Sequence, residues 1–360
     1  MRIGFTYDLQ TNLSDERQAE FDQPRTIAAL EDALHRLGHE VVRLGNAEQL
    51  LAAPARLEHI QLVFNIAEGS HGRCREAWVP MLLEQWGVPF VGSGAATQAL
   101  GLDKVMSKRV AAASGLATPR WVVVTPDDRI AMARAGELTF PLIVKPRAEG
   151  SGLGIDAGAI VHDMEMLARR VEWLTTRLHV PCLVEEFIAF GELTVFLIGN
   201  RPPVALPAVQ RPLDPKSRLA CHVAGHAARG WPHHMPPPPQ AELRRMAQAR
   251  WAEQQVMGWL SPVELTPTLE HAASRMAVTM FETLRCRDMA RVDLRVDERA
   301  TPYFLEINPL PSFDPEGSVG LIAECLGTTY THLIGQILNA ALQRLALPMV
   351  HVPMEEAESV

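Results

Sequence analysis

At 360 residues, 47% hydrophobic and 21% charged, the chain has an ordinary globular composition and the length for two or three cores. A formal charge of −8 spread along it excludes general affinity for nucleic acid, and no run of about 18 apolar residues offers a membrane span. Five scattered cysteines (Cys74, Cys182, Cys221, Cys286, Cys325), without a C-x-x-C pair or a signal segment, indicate reduced thiols in a cytoplasmic protein.

The chain opens with an apolar strand, Arg2 to Tyr7, and a helix from Pro24 to Leu37. Ile27, Leu30, Leu34 and Leu37 share one face of that helix, Pro24 suits its first turn and Gly38 stops it. Strands follow at His39–Leu44 and Leu62–Ile66, then a helix from Glu76 to Trp86 and a strand from Val88 to Val91. This alternation predicts a parallel sheet covered on both faces, closing near Gly92-Ser93-Gly94. Between Asp8 and Asp22 runs a polar segment containing Asp15, Glu16, Glu20 and Asp22. It follows the first strand, where parallel sheets bind ligands, and is either a solvated acidic loop or a receiver for a substrate ammonium group.

From Leu102 the pattern changes. Asp103 caps a predicted helix ending at Ala113, with Lys104 in its first turn. Trp121–Val124 is a strand. Phe140 to Val144 is a buried strand carrying Lys145 at its end, and a glycine-rich loop with Gly150, Ser151, Gly152 and Gly154 follows. Glycines let backbone amides wrap an anion, and Lys145 adds a point charge, although such a loop alone is equally a plain turn. Neither the G-K-[ST] of a P-loop nor G-x-G-x-x-G is present. That absence removes the dinucleotide-dependent oxidoreductase reading.

A helix from His162 to Leu178 leads to a strand through Pro181–Ile188, which carries Glu185 and Glu186. Glu192–Ile198 and Val204–Val209 are further strands. Arg211 to Gln240 is the least regular stretch and suits a lid or a partly disordered segment. Its Cys221, His222, His226, His233 and His234 match no standard zinc spacing. Helices are expected at Ala241–Gly258, Pro267–Leu284, Gly317–Leu326 and Thr331–Leu345, with a loose tail from Pro348.

Two runs, Ala290–Val296 and Tyr303–Pro309, alternate apolar and polar residues with a period of two. Arg291 and Asp293 share one side of the first, and Glu306 and Asn308 one side of the second. If the strands pair as a hairpin, two carboxylates, a carboxamide and a guanidinium meet on one surface. That oxygen set suits magnesium, which bridges carboxylates to phosphates; the bland alternative is a solvated hairpin face.

In chain order, His71-Gly72-x-x-x-Glu76, Gly87-Val-Pro-Phe-Val-Gly-Ser-Gly94, Leu102-Asp103-Lys104 with Lys108, and Val144-Lys145-Pro146 resemble the ATP-grasp ligases. So do the Glu149–Gly154 loop, Glu185–Ile188, Gly191-Glu192, Ala290–Asp293 and Leu305-Glu306-Ile-Asn308-x-x-Pro311. The resemblance is closest to the D-alanine–D-alanine ligase family and spans Val63 to Leu345. It implies an α/β architecture, an ATP-grasp fold preceded by a Rossmann-like parallel-sheet domain. The expected divisions are 1–95, 96–188 (with the phosphate loop), 189–347 (with the metal site) and a tail at 348–360.

The resemblance further implies that Lys104 and Lys145 hold ATP phosphates under the Gly150–Gly154 loop. Ser151 and Arg291 would act in catalysis. Glu185 would meet the adenine amino group, Phe187 and Ile188 would line the base pocket, and Glu192 would bind the ribose. Asp293, Glu306 and Asn308 would hold two magnesium ions, or manganese in their place. His71, Glu76 and Ser318 would meet small-molecule carboxylate and amine substrates, in a homodimer; Asp15 and Glu16, from the acidic segment itself, are the further substrate candidates. The expected reaction is amide formation through an acyl phosphate.

Three departures qualify it. Thr6-Tyr7-Asp8 and the acidic segment replace the family's N-terminal signature, and its aromatic lid is missing, with Lys216 the lone lysine in that loop. Gly152 stands where a second serine is usual. The expectation is therefore an amide-forming ligase acting on an amino acid or amine other than D-alanine, with the acids at 15–22 suiting a more basic one. A genuine D-alanine–D-alanine ligase with a divergent lid and a non-catalytic ATP-binding regulator are the alternatives.

Overall fold

A computed structural model describes residues 1–352 other than 13, 14, 16, 17, 151, 212, 215 and 221–262; at 318, 324 and 325 it describes the backbone alone. The expected helix at 241–258, the Cys221 and histidine cluster, Glu16, Ser151 and the tail beyond 352 lie outside the described residues.

The first sheet contains β1 (Arg2–Thr6), β2 (Glu40–Gly45), β3 (Leu62–Asn65) and β4 (Phe90–Val91). Its order is β2-β1-β3-β4, with every pairing parallel. Helices α1 (Pro24–Arg36), α2 (Ala47–Ala52) and α3 (Trp78–Trp86) connect its strands. Asn46 and Gln49 close a capping box on α2, an element that the sequence reading passed over. The expected helix from Glu76 is a tighter turn over Arg75–Ala77 followed by α3. Gly87 ends α3 at φ +65°, a conformation that suits glycine.

Two helices lead out of this unit: α4 (Ala95–Leu102), also unforeseen, and α5 (Lys104–Ala113). Asp103 caps α5 as expected, accepting the N–H groups of Val105 and Met106. A second, antiparallel sheet has β5 (Trp121–Val124), β6 (Leu142–Pro146), β7 (Ile160–Val161) and β8 (Cys182–Glu186) in the order β5-β8-β6-β7. It packs against α6 (Arg129–Ala135) and α7 (Met164–Leu178), burying Leu142, Val144, Leu167, Val171 and Leu174 in one core.

The third sheet is built from β9 (Gly191–Gly199), β10 (Pro203–Ala205), β11 (Val209–Gln210), β12 (Asp288–Val296) and β13 (Pro302–Asn308), in the order β10-β9-β12-β13 with β11 also on β9. The single strand expected over 204–209 is two short ones, because Pro207 between them has no N–H for a ladder. Behind the sheet lies α8 (Pro267–Thr283), and α9 (Ser318–Cys325) and α10 (Tyr330–Arg344) close the chain.

The final helix does not stay with the third sheet. Leu333, Ile334, Ile337 and Leu338 are buried with Ile3, Phe5, Leu30 and Leu34 of the first unit, and with Phe196, Ile198 and Met289 of the third sheet. Each fully buried leucine or isoleucine contributes roughly 1.5–3 kcal/mol. Asp288, fully buried, reinforces the junction. It accepts Arg344 at 2.7 and 2.9 Å, the Gly92 N–H at 2.8 Å and Asn200 at 3.1 Å. The first and last parts of the chain are thereby held in one position around the ends of their sheets. Among the described residues no helix is long and apolar enough to cross a membrane.

Candidate active site

Strands β12 and β13 pair antiparallel with Arg291 opposite Asn308 and Asp293 opposite Glu306. On the other side, β9 sets Thr194 opposite Asp293 and Glu192 opposite Arg295. Side chains of period two therefore sort into two faces. Leu193, Val195, Leu197, Val292, Leu294, Phe304 and Ile307 join the α8 core, while Glu192, Thr194, Arg291, Asp293, Arg295, Glu306 and Asn308 occupy the opposite face. The expected strict alternation of β13 fails at one residue. Phe304 and Glu306 pair with the consecutive Leu294 and Asp293, so Leu305 is the extra residue of a bulge. An unbulged strand would turn Phe304 and Glu306 to the same face.

Asp293 is the centre of the polar face. It accepts the Thr194 hydroxyl at 2.8 Å, Arg291 at 2.9 and 3.1 Å and the Asn308 amide at 3.5 Å. Glu306 pairs with Lys104 at 3.2 Å. Burial works against its charge, but Lys104, Lys145 and Arg291 prevail and hold its carboxyl at about 2. Arg291 is raised in turn, burial being outweighed by Asp293 and Glu306.

The two sequence-selected lysines meet different partners. Lys104 also donates to the Glu149 carbonyl at 2.5 Å, at the entrance to the glycine loop. Lys145 and Lys108 hold the two oxygens of the buried Glu185 at 2.5 and 2.8 Å. Burial lowers Lys108 to about 8, whereas Glu185 raises Lys145 against burial. Glu185 itself stays below its ordinary range, burial being outweighed by the two lysines. Its side chain is thus held by the two lysines.

Phe187 and Ile188 follow directly. Arg295, which the sequence reading did not select, stacks 4.8 Å from the Phe187 ring centroid and donates to the Ile188 carbonyl at 2.7 Å. It also pairs with Glu192 at 2.9 Å, and Arg211 takes the other Glu192 oxygen at 2.9 Å. The signal was available: Arg295 continues the Arg291-x-Asp293 alternation on the same face.

In the glycine loop, Gly152 and Gly154 have φ of +70° and +71°, and a Cβ on Gly154 would lie 2.7 Å from Leu174. Gly150 donates its N–H to Glu20 at 2.5 Å, and Glu20 pairs with Arg75, itself 3.3 Å from Glu149. A cleft of about 620 Å³ opens beside these contacts, lined by Asp15, Glu20, His71, Arg75, Arg147 and Glu149 among others. His71 and Asp15 are thereby placed on the cleft wall, whereas Glu76 is buried behind it. Ser318 begins α9.

Glu76 has no hydrogen bond or ion pair among the described residues. Burial, then Glu20, push it up to about 8 against Arg75 and Lys104. Between its ordinary 4.5 and about 8 the folded chain holds a proton that the unfolded chain has lost, so this group's contribution to stability falls as pH rises through that window. Thermal melts of the ligand-free protein at pH 5, 7 and 9 are expected to show Glu76→Gln with the shallower decline. Parallel pH profiles would contradict this.

The polar face offers two carboxylates and a carboxamide. Among the described residues no three His, Cys, Asp or Glu side chains form a ready-made metal cage. Such a set fits a hard divalent cation that brings water and phosphate oxygens of its own.

Residues 110–216 and 247–339 match the family model for the D-ala D-ala ligase C-terminus. A D-alanine–D-alanine ligase from Syntrophotalea carbinolica is 31% identical over 337 residues, 93% of this chain and 95% of the relative. The uncharacterized protein y4sG of Sinorhizobium fredii is 30% identical over 329 residues, 89% of each chain. The crystal structure of the Bacillus anthracis D-alanine–D-alanine ligase complexed with ATP superposes with a TM-score of 0.67 at 21% identity, covering 96% of this chain and 98% of that one.

Proposed function

The chain belongs to the D-alanine–D-alanine ligase family of ATP-grasp enzymes, and we propose that its ATP-dependent, amide-forming reaction runs on the face carrying Arg291, Asp293, Glu306 and Asn308. The single observation carrying this reading is the cross-strand register that sets Arg291 opposite Asn308 and Asp293 opposite Glu306.

A substrate carboxylate oxygen attacks the terminal phosphorus of ATP, the bond to the bridging oxygen breaks, and ADP leaves with its electron pair. The resulting acyl phosphate is attacked at its carbonyl carbon by an amine nitrogen. Inorganic phosphate departs, the nitrogen loses a proton to water, and an amide remains. Arg291, kept charged by Asp293 and Glu306, neutralises oxygens of the transferring group. Lys104 and Lys145 flank the same space and offer charge to the phosphates. The Gly150–Gly154 loop supplies backbone N–H groups once Glu20 yields the Gly150 amide. Arg295 fixes Phe187, Ile188 and the Glu192 carboxylate as one wall, positioning the groups for a base and a ribose. Asp293, Glu306 and Asn308 would hold magnesium, which when bound supplies further positive charge to the phosphate oxygens.

The test is ATP-dependent phosphate release with pooled amino acids and amines, followed by mass spectrometry. The expected product mass is acid plus amine minus water. ATP hydrolysis with no coupled product would refute amide formation.

A further inference from the structure

The wall assigned to the base is a linker, Phe187 to Phe190, that joins β8 to β9. Three consecutive carbonyls of this linker accept guanidinium N–H groups. Arg295 donates to Ile188 at 2.7 Å, and Arg218 donates to Ala189 at 3.1 Å and to Phe190 at 3.5 Å. The two arginines are themselves joined, since Arg295 also donates to the Arg218 carbonyl at 2.9 Å. Arg295 reaches in from β12, whereas Arg218 comes from the turn after β11. That turn is fastened at its start: Arg211 donates its N–H to the Glu192 carbonyl at 2.9 Å and its guanidinium to the Glu192 carboxylate at 2.9 Å. Asp214 then accepts the N–H groups of Lys216 at 3.1 Å and Ser217 at 2.6 Å on its carboxylate, and that of Arg218 at 2.8 Å on its carbonyl. Arg218 is left at φ +60°, in the left-handed region, where a side chain strains the backbone.

Glycine would suit that backbone better, so the side chain is what this position gains from arginine. A planar guanidinium with five donors holds two carbonyls at once while Arg295 holds the residue's own carbonyl. We propose that Arg218 is a positioning residue for the nucleotide, acting through Ala189 and Phe190 to order the Phe187–Phe190 linker before a base arrives. This rests on the ligase reading above and adds to its base wall a residue from a different part of the chain. A linker released from Arg218 would have to be ordered on binding, and that entropy is lost from the affinity. The loss falls on the base end of the site. The phosphate end is built elsewhere, with Lys104 on α5, Lys145 on β6 and Arg291 on β12.

Calorimetric titration of the full chain with magnesium tests it, comparing ADP with inorganic tripolyphosphate, which lacks base and ribose. In Arg218→Gly the new residue accepts φ +60° without strain, so a loss of affinity is the loss of the side chain. This variant is expected to bind ADP at least ten-fold more weakly and tripolyphosphate within about two-fold of wild type, which also reports that it is folded. Arg218→Lys, whose ammonium can take over one carbonyl, is expected to fall between wild type and Arg218→Gly for ADP. ADP binding unmoved in Arg218→Gly overturns the proposal, and so does an equal weakening of both ligands, the result of a purely structural role. Either outcome leaves the ligase reading standing. A wild-type chain that binds neither ligand removes the ligase reading and the positioning role with it.

Discussion

Asp293→Asn is expected to lower ATP-dependent phosphate release by at least about 10³-fold, roughly 4 kcal/mol of transition-state stabilisation. The substitution keeps the size of the side chain and its ability to accept the Thr194 hydroxyl, held at 2.8 Å in the wild-type chain. What it removes is the negative charge that pairs with Arg291 at 2.9 Å and stands opposite Glu306. Arg291 then loses an ion-pair partner at 2.9 Å, and the oxygen set loses one of its two carboxylates. Because the residues at the base end of the site, Phe187, Ile188 and Arg295, are untouched, metal-free ADP should bind within about three-fold of wild type. Stopped-flow phosphate detection and ADP titration measure the two quantities. Turnover within ten-fold of wild type would remove Asp293 from the reaction centre.

Glu185→Leu should cost about 3–5 kcal/mol of unfolding free energy, because it strands two lysine ammonium groups in the interior. Lys108 is fully buried and also donates to Thr118 at 3.0 Å and the Phe304 carbonyl at 3.3 Å, so it has little freedom to reach water. Lys145, on the neighbouring strand, is 5% exposed. The double variant Glu185→Leu/Lys108→Met should recover part of the loss, since it leaves a single unpaired ammonium instead of two. Urea denaturation of the wild type and both variants checks this. A loss below about 1 kcal/mol for Glu185→Leu would mean that the lysines find water or other acceptors.

These effects show where local and long-range information part. The capped start at Asp103, the start at Pro24 and most strand positions were legible because propensity, capping and period are properties of neighbouring residues. Two short helices, Ala47–Ala52 and Arg129–Ala135, were not, since six or seven residues complete less than two full helical turns and show no clear stripe. Glu185 was expected at an adenine amino group. Its commitment to Lys108 and Lys145 depends on how β6 and β8 register and where α5 packs, which no local pattern reports.

By itself, the sequence determined which side chains share a strand face: Arg291 with Asp293, and Glu306 with Asn308, through the two-residue repeat of extended backbone. It also determined the order of the family's motifs along the chain. Only the tertiary structure decided the Leu305 bulge, which keeps Glu306 on the working face while Phe304 enters the core. It alone brought Glu76 within electrostatic reach of Glu20 and Glu306, and returned the last helix to the first sheet. The reason is physical: charge–charge energies depend on separation in space and on burial, and residues 20, 76 and 306 acquire both only when the chain is folded.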